Sequence, residues 1–247
     1  MTETIDRRHV VDLQILIPMA GRGQRFKDAG YDRPKPFIEA CGMDMWRMVA
    51  LNMPRSRGHR RLLLALDEHR EFLPEDEGNT VVWIGMVTEG AACTILLAEP
   101  RIDIDTPILV ANSDQWLDWS PEHFASFVHR DGCDGAIVTF RASGSRWSYV
   151  VVREDNTVAA VAEKREISSD ATCGVYYWKR AGDCFAAIRK MMEKEDSRVN
   201  GEFYLAPSFN EMVFGQARVI AYPVPRMWSL GTPDDLKRTL EAKPWRS

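Results

Sequence analysis

The chain has 247 residues, with 32 Lys and Arg against 36 Asp and Glu, and so a formal net charge of −4. An α/β chain of this size buries roughly 70% of the surface that its unfolded form exposes, so neither disulfides nor metal ions are needed to hold it together. A mildly acidic balance without blocks of like charge excludes general electrostatic binding to nucleic acid, and leaves room for a local basic cleft that takes a phosphorylated small molecule.

No apolar run approaches the ~18 residues of a membrane span, so no membrane partner is expected. The start, MTETIDRRHVVDLQILIPMAG, lacks the small-residue cleavage site of a secretory signal, and the expected compartment is the cytoplasm. The first ten or so residues read as a loose extension. Cys41, Cys93, Cys133, Cys173 and Cys184 are odd in number and form no C-x-x-C pair, which predicts reduced, mostly buried thiols. His69, His123 and His129 fall in segments that read as helical and polar, without an H-E-x-x-H pair to hold a metal.

Apolar runs of strand length then alternate with helical patterns. Strands are predicted at 13–18, 61–66, 80–84 and 107–111, with helices at 44–53 and 92–98. Continuous Val, Ile and Leu runs suit strands covered on both faces of a doubly wound, mostly parallel, Rossmann-like α/β sheet. Past Trp119 the pattern changes. A helix over 121–129 is followed by apolar runs at 135–140, 149–152, 158–162 and 174–178, and four strands with one intervening helix predict an antiparallel extension. Helices at 181–194 and 204–214, a strand at 218–223 and a helix at 233–240 complete the chain. Without repeats or linkers, it reads as one domain with halves at about 11–119 and 120–247.

The densest signal follows the first strand: Gly21-Arg22-Gly23-Gln24-Arg25-Phe26, then Arg33-Pro34-Lys35-Pro36. Two glycines let the backbone approach an anion, and Arg25 and Lys35 can neutralise phosphate oxygens. A dinucleotide fingerprint needs a third glycine where Phe26 stands, and a Walker loop ends in Gly-Lys-Ser/Thr; both are excluded. Asp114 sits just past the end of a buried strand, at the edge where ligands of open α/β sheets collect, and a carboxylate there suits Mg²⁺ or a turn cap. Lys164 ends an apolar run beside Glu163.

The string ILIPMAGRGQRFKDAGYDRPKPFIEACG resembles the signature of the sugar-phosphate nucleotidylyltransferase family, in which G-x-G-x-R precedes P-K. Further blocks follow in the family's order: VTEGAACTILLAEP, ILVANSDQWLDW, VAEKREISSDATCGVYYWK, NGEFYLAPSFNEMV and MWSLGTPDDLKR. The resemblance spans about 15–240 and is nearest to the capsule and surface-polysaccharide branch, whose acceptors range from sugars to other phosphates. It implies nucleotide contacts from Ala20, Gly21, Gly23, Arg25, Lys35, Glu89, Gly90 and Asn112, the last of which also reads as a loop brace. It implies acceptor contacts from Glu163, Lys164, Gly174 and Glu202, with Arg25, Lys35, Asp114 and Lys164 carrying the chemistry.

The expected reaction is transfer of a nucleoside monophosphate from a nucleoside triphosphate to a sugar 1-phosphate or other small phosphorylated acceptor, with release of pyrophosphate and Mg²⁺ as cofactor. An acceptor phosphate is already ionised at neutral pH and needs no general base. Relatives carry an Asp before the closing Gly-Thr-Pro as second magnesium ligand, whereas this chain has Ser229 and Leu230; Glu202 is the candidate beside Asp114, with Asp234 and Asp235 behind it. Glu89, or a backbone carbonyl beside it, can accept from the amino group of cytosine, which tilts the base to CTP over UTP and dTTP. A metal-dependent glycosyltransferase of the nucleotide-diphosphosugar fold and an inactive nucleotide-binding module are the rival readings, and a homo-oligomer stays open. Trp147, Tyr149, Tyr176, Tyr177 and Trp178 are aromatic candidates for the acceptor pocket or for strand packing.

Overall fold

The computed structural model describes residues 13–55, 60–73 and 79–246; the expected N-terminal extension lies outside them. The first half contains β1 (Gln14–Pro18), α1 (Gln24–Asp28), a short ribbon of β2 (Glu39–Ala40) with β3 (Met43–Asp44), α2 (Met45–Leu51), β4 (Arg60–Leu66), β5 (Asn79–Ile84), α3 (Ala91–Leu96) and β6 (Ile108–Ala111). The second contains β7 (Gln115–Leu117), α4 (Pro121–Asp131), β8 (Gly135–Arg141), β9 (Ser148–Val152), β10 (Val158–Glu163), β11 (Asp170–Trp178), α5 (Ala181–Met192), α6 (Phe209–Phe214), β12 (Val219–Pro223), β13 (Met227–Ser229) and α7 (Pro233–Ala242).

One nine-stranded sheet takes strands from both halves, in the order β10-β9-β11-β6-β1-β4-β5, with β8 paired to β11 and β12. β4, β1 and β6 are parallel neighbours and β5 continues them, whereas β11 runs antiparallel to β6 and opens the antiparallel extension. The central strands read as unbroken apolar runs because both faces are covered. Leu16, Leu62, Leu64, Ile108 and Val110 point to one core, while Ile15, Ile17, Leu63, Ala65, Leu109 and Ala111 point to the other.

Helix ends follow local chemistry. Ser120 Oγ accepts from His123 N (3.2 Å) to start α4, and Thr232 Oγ1 accepts from Asp235 N (3.1 Å) to start α7. The helix expected over 204–214 begins instead as a single 3₁₀ turn, Ala206–Ser208, around Pro207, and becomes α-helical only at Phe209. β11 starts four residues before the apolar run, at Asp170, because β8 and β9 pair with its polar beginning. The ribbon of β7 with β13 was not expected. Each strand has three residues, too few for a periodic signal, and the pairing joins segments about a hundred positions apart. His69 is also not in a polar helix face: it is 4% exposed, with its ring edge-on to Phe37 at 5.4 Å. Cys133, Cys173 and Cys184 are buried, Cys93 is half-buried and Cys41 is exposed.

Candidate active site

The chain leaves β1 at Pro18 and enters the glycine loop, whose backbone is open: a Cβ on Gly21 would meet nothing within 4 Å. Gly23 precedes α1 with φ +63°, and a Cβ there would fall 2.9 Å from Cβ of Lys35. Glycine is therefore required both by the backbone and by the approach of Lys35. Ala20 is buried beneath the loop, and Arg25 on α1 projects into solvent. Pro34 and Pro36 stiffen the turn that presents Lys35, whose Nζ donates to the carboxylate of Asp114. Asp114 sits in the link between β6 and β7, and since β1 and β6 are parallel neighbours it lies past the same sheet edge as the glycine loop. Both members of the pair are about a quarter exposed, so a ligand can reach them.

A second turn, past β5, is built around Gly90 with φ +132°, where a Cβ would overlap the backbone of Phe203. Phe203 N donates to Glu89 O (2.8 Å) and Ala92 N to Phe203 O (3.1 Å), which clasps this turn to the segment 198–203. The Glu89 carboxylate, expected at the base, accepts from Arg198 (2.7 Å), and the guanidinium lies over the Phe203 ring at 4.0 Å.

The residues expected to meet the acceptor lie past the same edge, because Glu163 pairs with Ser148, Tyr149 with Ala171 and Val175 with Ala111. Lys164 turns the chain with φ +51°, anchored by its N–H to Trp147 O (3.0 Å). Its ammonium donates to Tyr204 Oη and lies 4.4 Å from the centre of that ring. Glu163 accepts from Ser148 Oγ; burial pushes its carboxyl above the usual range, against the pull of that hydrogen bond and of Lys164. Glu202 is exposed and its charge bears on both Glu163 and Tyr204, so it belongs to this cluster. Asp114 accepts from Lys35, and a Cβ on Gly231 would lie 3.1 Å from its Oδ2. Gly174 has φ +73° and packs against the Asn112 side chain, with Asn112 N donating to Gly174 O (2.8 Å), so Asn112 braces the two strand ends.

Tyr204 was not singled out in the sequence, since its partner Lys164 is 40 positions away. Of the aromatic candidates, Tyr149, Tyr176, Tyr177 and Trp178 are at most 4% exposed and form core, with Trp178 stacked on Phe209 at 4.3 Å. Trp147 alone among them is part-exposed, edge-on to Phe140.

At the position expected to supply a second carboxylate, Ser229 Oγ donates to Asp235 (3.1 Å) and accepts from Gly231 N (3.2 Å). Asp235 does more than open α7. It is buried and held by Arg146 and Arg238, and although burial opposes ionisation, these hydrogen bonds with that of Thr232 bring its carboxyl down to about 2. Asp234 is exposed. Asp118 accepts from Trp228 Nε1 (2.9 Å) across the ribbon. Among the described residues, no three or more His, Cys, Asp and Glu side chains gather as a metal site. One carboxylate paired with a cation, Asp114 with Lys35, still fits Mg²⁺, which commonly takes one or two protein carboxylates and completes its shell with phosphate oxygens and water.

No protein-family model matches the chain, and no curated protein matches it significantly. Solved structures do. A nucleoside-diphosphate-sugar pyrophosphorylase from Vibrio cholerae RC9 is similar with a TM-score of 0.76 and 24% identity, over 92% of this chain and 99% of that one. The inositol-1-phosphate CTP transferase from T. maritima gives 0.70 and 18% over 96% and 97%, and a UDP-glucose pyrophosphorylase complexed with UDP-glucose gives 0.76 and 16% over 95% and 99%. The chain has the nucleotidyltransferase fold. In this fold the glycine loop, Asp114 and the Gly90 turn all follow the carboxyl ends of parallel strands, where open α/β sheets bind ligands. No helix among the described residues is long and apolar enough to cross a membrane.

Proposed function

We propose that this chain is a nucleotidylyltransferase that moves a nucleoside monophosphate from a nucleoside triphosphate to a sugar 1-phosphate or another small phosphorylated acceptor, releasing pyrophosphate. The observation that carries this reading is the pairing of Lys35 with Asp114 beside the glycine loop, open at Gly21, with Lys164 on the acceptor side of the same edge. Residues 11–119 then serve the nucleotide and 120–247 the acceptor, as one cytoplasmic domain.

The chain's own groups set the chemistry. The glycine loop takes the triphosphate, with Arg25 and Lys35 neutralising the charge that builds on the leaving pyrophosphate. Lys164, steadied by Tyr204, holds the attacking phosphate monoester, which needs no base because it is already ionised. Asp114 is the residue that would hold Mg²⁺, and when bound that ion supplies charge neutralisation at phosphate oxygens. Lys35 must then exchange Asp114 for a phosphate, so ligand binding splits the ion pair seen here. Glu202, among the acceptor-side groups, contacts the acceptor; Ser229 leaves Asp114 as the carboxylate nearest the phosphates. CTP remains the nucleotide proposed over UTP and dTTP, read at the Gly90 turn by carbonyl groups beside Glu89.

The test is to incubate the protein with each triphosphate, Mg²⁺ and a panel of phosphorylated acceptors, reading pyrophosphate and product mass. A nucleoside-diphosphate-linked product with one pyrophosphate per turnover is expected. Release of nucleoside diphosphate from a nucleotide sugar, or binding without turnover, overturns the assignment.

A further inference from the structure

The corner next to Asp114 holds more positive charge than it needs. Asp235 is one carboxylate, its side chain 6% exposed, yet two guanidinium groups meet it: Arg146 through both terminal nitrogens and Arg238 at 2.6 Å. The cluster therefore carries a net charge of +1, whereas Lys35 and Asp114 cancel. Arg238 sits on α7 three residues from Asp235 and is enough to neutralise it.

Arg146 comes from elsewhere. It lies on the turn between β8 and β9, in the acceptor half, and crosses 89 positions of sequence to reach Asp235. Its outer nitrogen also stands 3.4 Å from Ser229 Oγ. That hydroxyl and Asp114 Oδ2 flank the same glycine, since a Cβ on Gly231 would lie 3.4 Å from the one and 3.1 Å from the other. The guanidinium rests 4.2 Å from the centre of the Trp147 ring, which fixes its plane, and the side chain keeps 46% exposure. A guanidinium has five N–H donors, so Asp235 and Ser229 leave donors facing solvent at this corner. A planar, preorganised cation with surplus charge beside a phosphate-transfer site is matched by a phosphate, whose oxygens accept two parallel hydrogen bonds.

We propose that Arg146 contacts a phosphate group of a bound substrate, and that Asp235 is the positioning residue that holds Arg146 in place. The inference rests on the nucleotidylyl-transfer reading, and assigns a cation to the corner where a second carboxylate was expected. The phosphate belongs either to the triphosphate or to the acceptor, and the kinetics separate the two.

The experiment compares the full-length wild type with Arg146→Gln, Arg146→Lys and Asp235→Asn. KM and kcat are measured for triphosphate and acceptor separately, alongside thermal unfolding and calorimetric titration with inorganic pyrophosphate and inorganic phosphate. Arg146→Gln is expected to raise one KM by about ten- to a hundredfold, the range for a lost charge-assisted hydrogen bond, with Tm nearly unchanged. A rise for the triphosphate with weaker pyrophosphate binding assigns Arg146 to the nucleotide; a rise for the acceptor with weaker phosphate binding assigns it to the acceptor. Arg146→Lys should recover part of the loss, since it restores charge but not the planar fork. Asp235→Asn should raise the same KM by a smaller factor. Unchanged KM values and unchanged anion binding in Arg146→Gln overturn the proposal. If the wild type catalyses no transfer, the functional reading fails by itself, and the two anion titrations still decide whether Arg146 binds phosphate.

Discussion

Lys35 and Asp114 neutralise one another while remaining partly exposed, so neither is needed to hold the core and both are available to a ligand. Lys35→Ala is expected to lower turnover by about two to three orders of magnitude, in line with removal of a charge-stabilising donor, while circular dichroism and Tm stay near wild type. Near-normal turnover would remove Lys35 from the machinery. Glu163 behaves differently because its carboxyl is buried and its pKa raised. A carboxyl raised in the folded state favours folding below its unfolded pKa of ~4.3, and that contribution is lost as the pH rises through the folded value. Glu163→Gln removes this dependence. Relative to wild type, the Gln variant should gain unfolding free energy between pH 4 and pH 7, read by urea titration at both; a constant difference would show that the carboxyl is not penalised by burial. Tyr204 shows what a single chain of letters hides: nothing local distinguishes it, and only the fold sets its hydroxyl against Lys164.

Element boundaries follow local rules wherever local chemistry is strong. Ser120 and Thr232 cap α4 and α7, each with Pro next in line, and both helices begin where the sequence places them. Thr232→Ala should cost about 1 kcal/mol through the lost cap, seen as a fall in Tm of about 2–4 °C. The same change would also loosen Asp235 and with it Arg146, so a KM shift larger than the stability loss explains would point to that link. Elements without a local signature escape such rules. The β7 and β13 ribbon is too short to show a period, and the helix expected from Tyr204 is delayed by Pro207.

Across the whole molecule, the sheet divides two cores, and the antiparallel extension is tied to its flanking helix by aromatic stacking. Phe209 lies on Trp178 at 4.3 Å and near Tyr176 at 5.8 Å, joining α6 to β11. Phe209→Ala should destabilise the protein by about 3–5 kcal/mol, measured by denaturant unfolding. Its kcat per folded molecule should change little, because neither ring belongs to the Lys35–Asp114 or Lys164–Tyr204 groups.

The α/β class, the two-sided burial of the central strands and the glycine loop with its lysine are legible in the order of residues alone. These are local: periodicity, φ requirements and residue spacing act within a few positions. Which charges meet depends on the folded chain. Asp114 faces Lys35, Glu89 is taken by Arg198, and Arg146 and Arg238 converge on Asp235 beside Ser229. Most of these pairs join segments tens to more than a hundred residues apart, and such meetings follow from strand order and register, which no local pattern encodes.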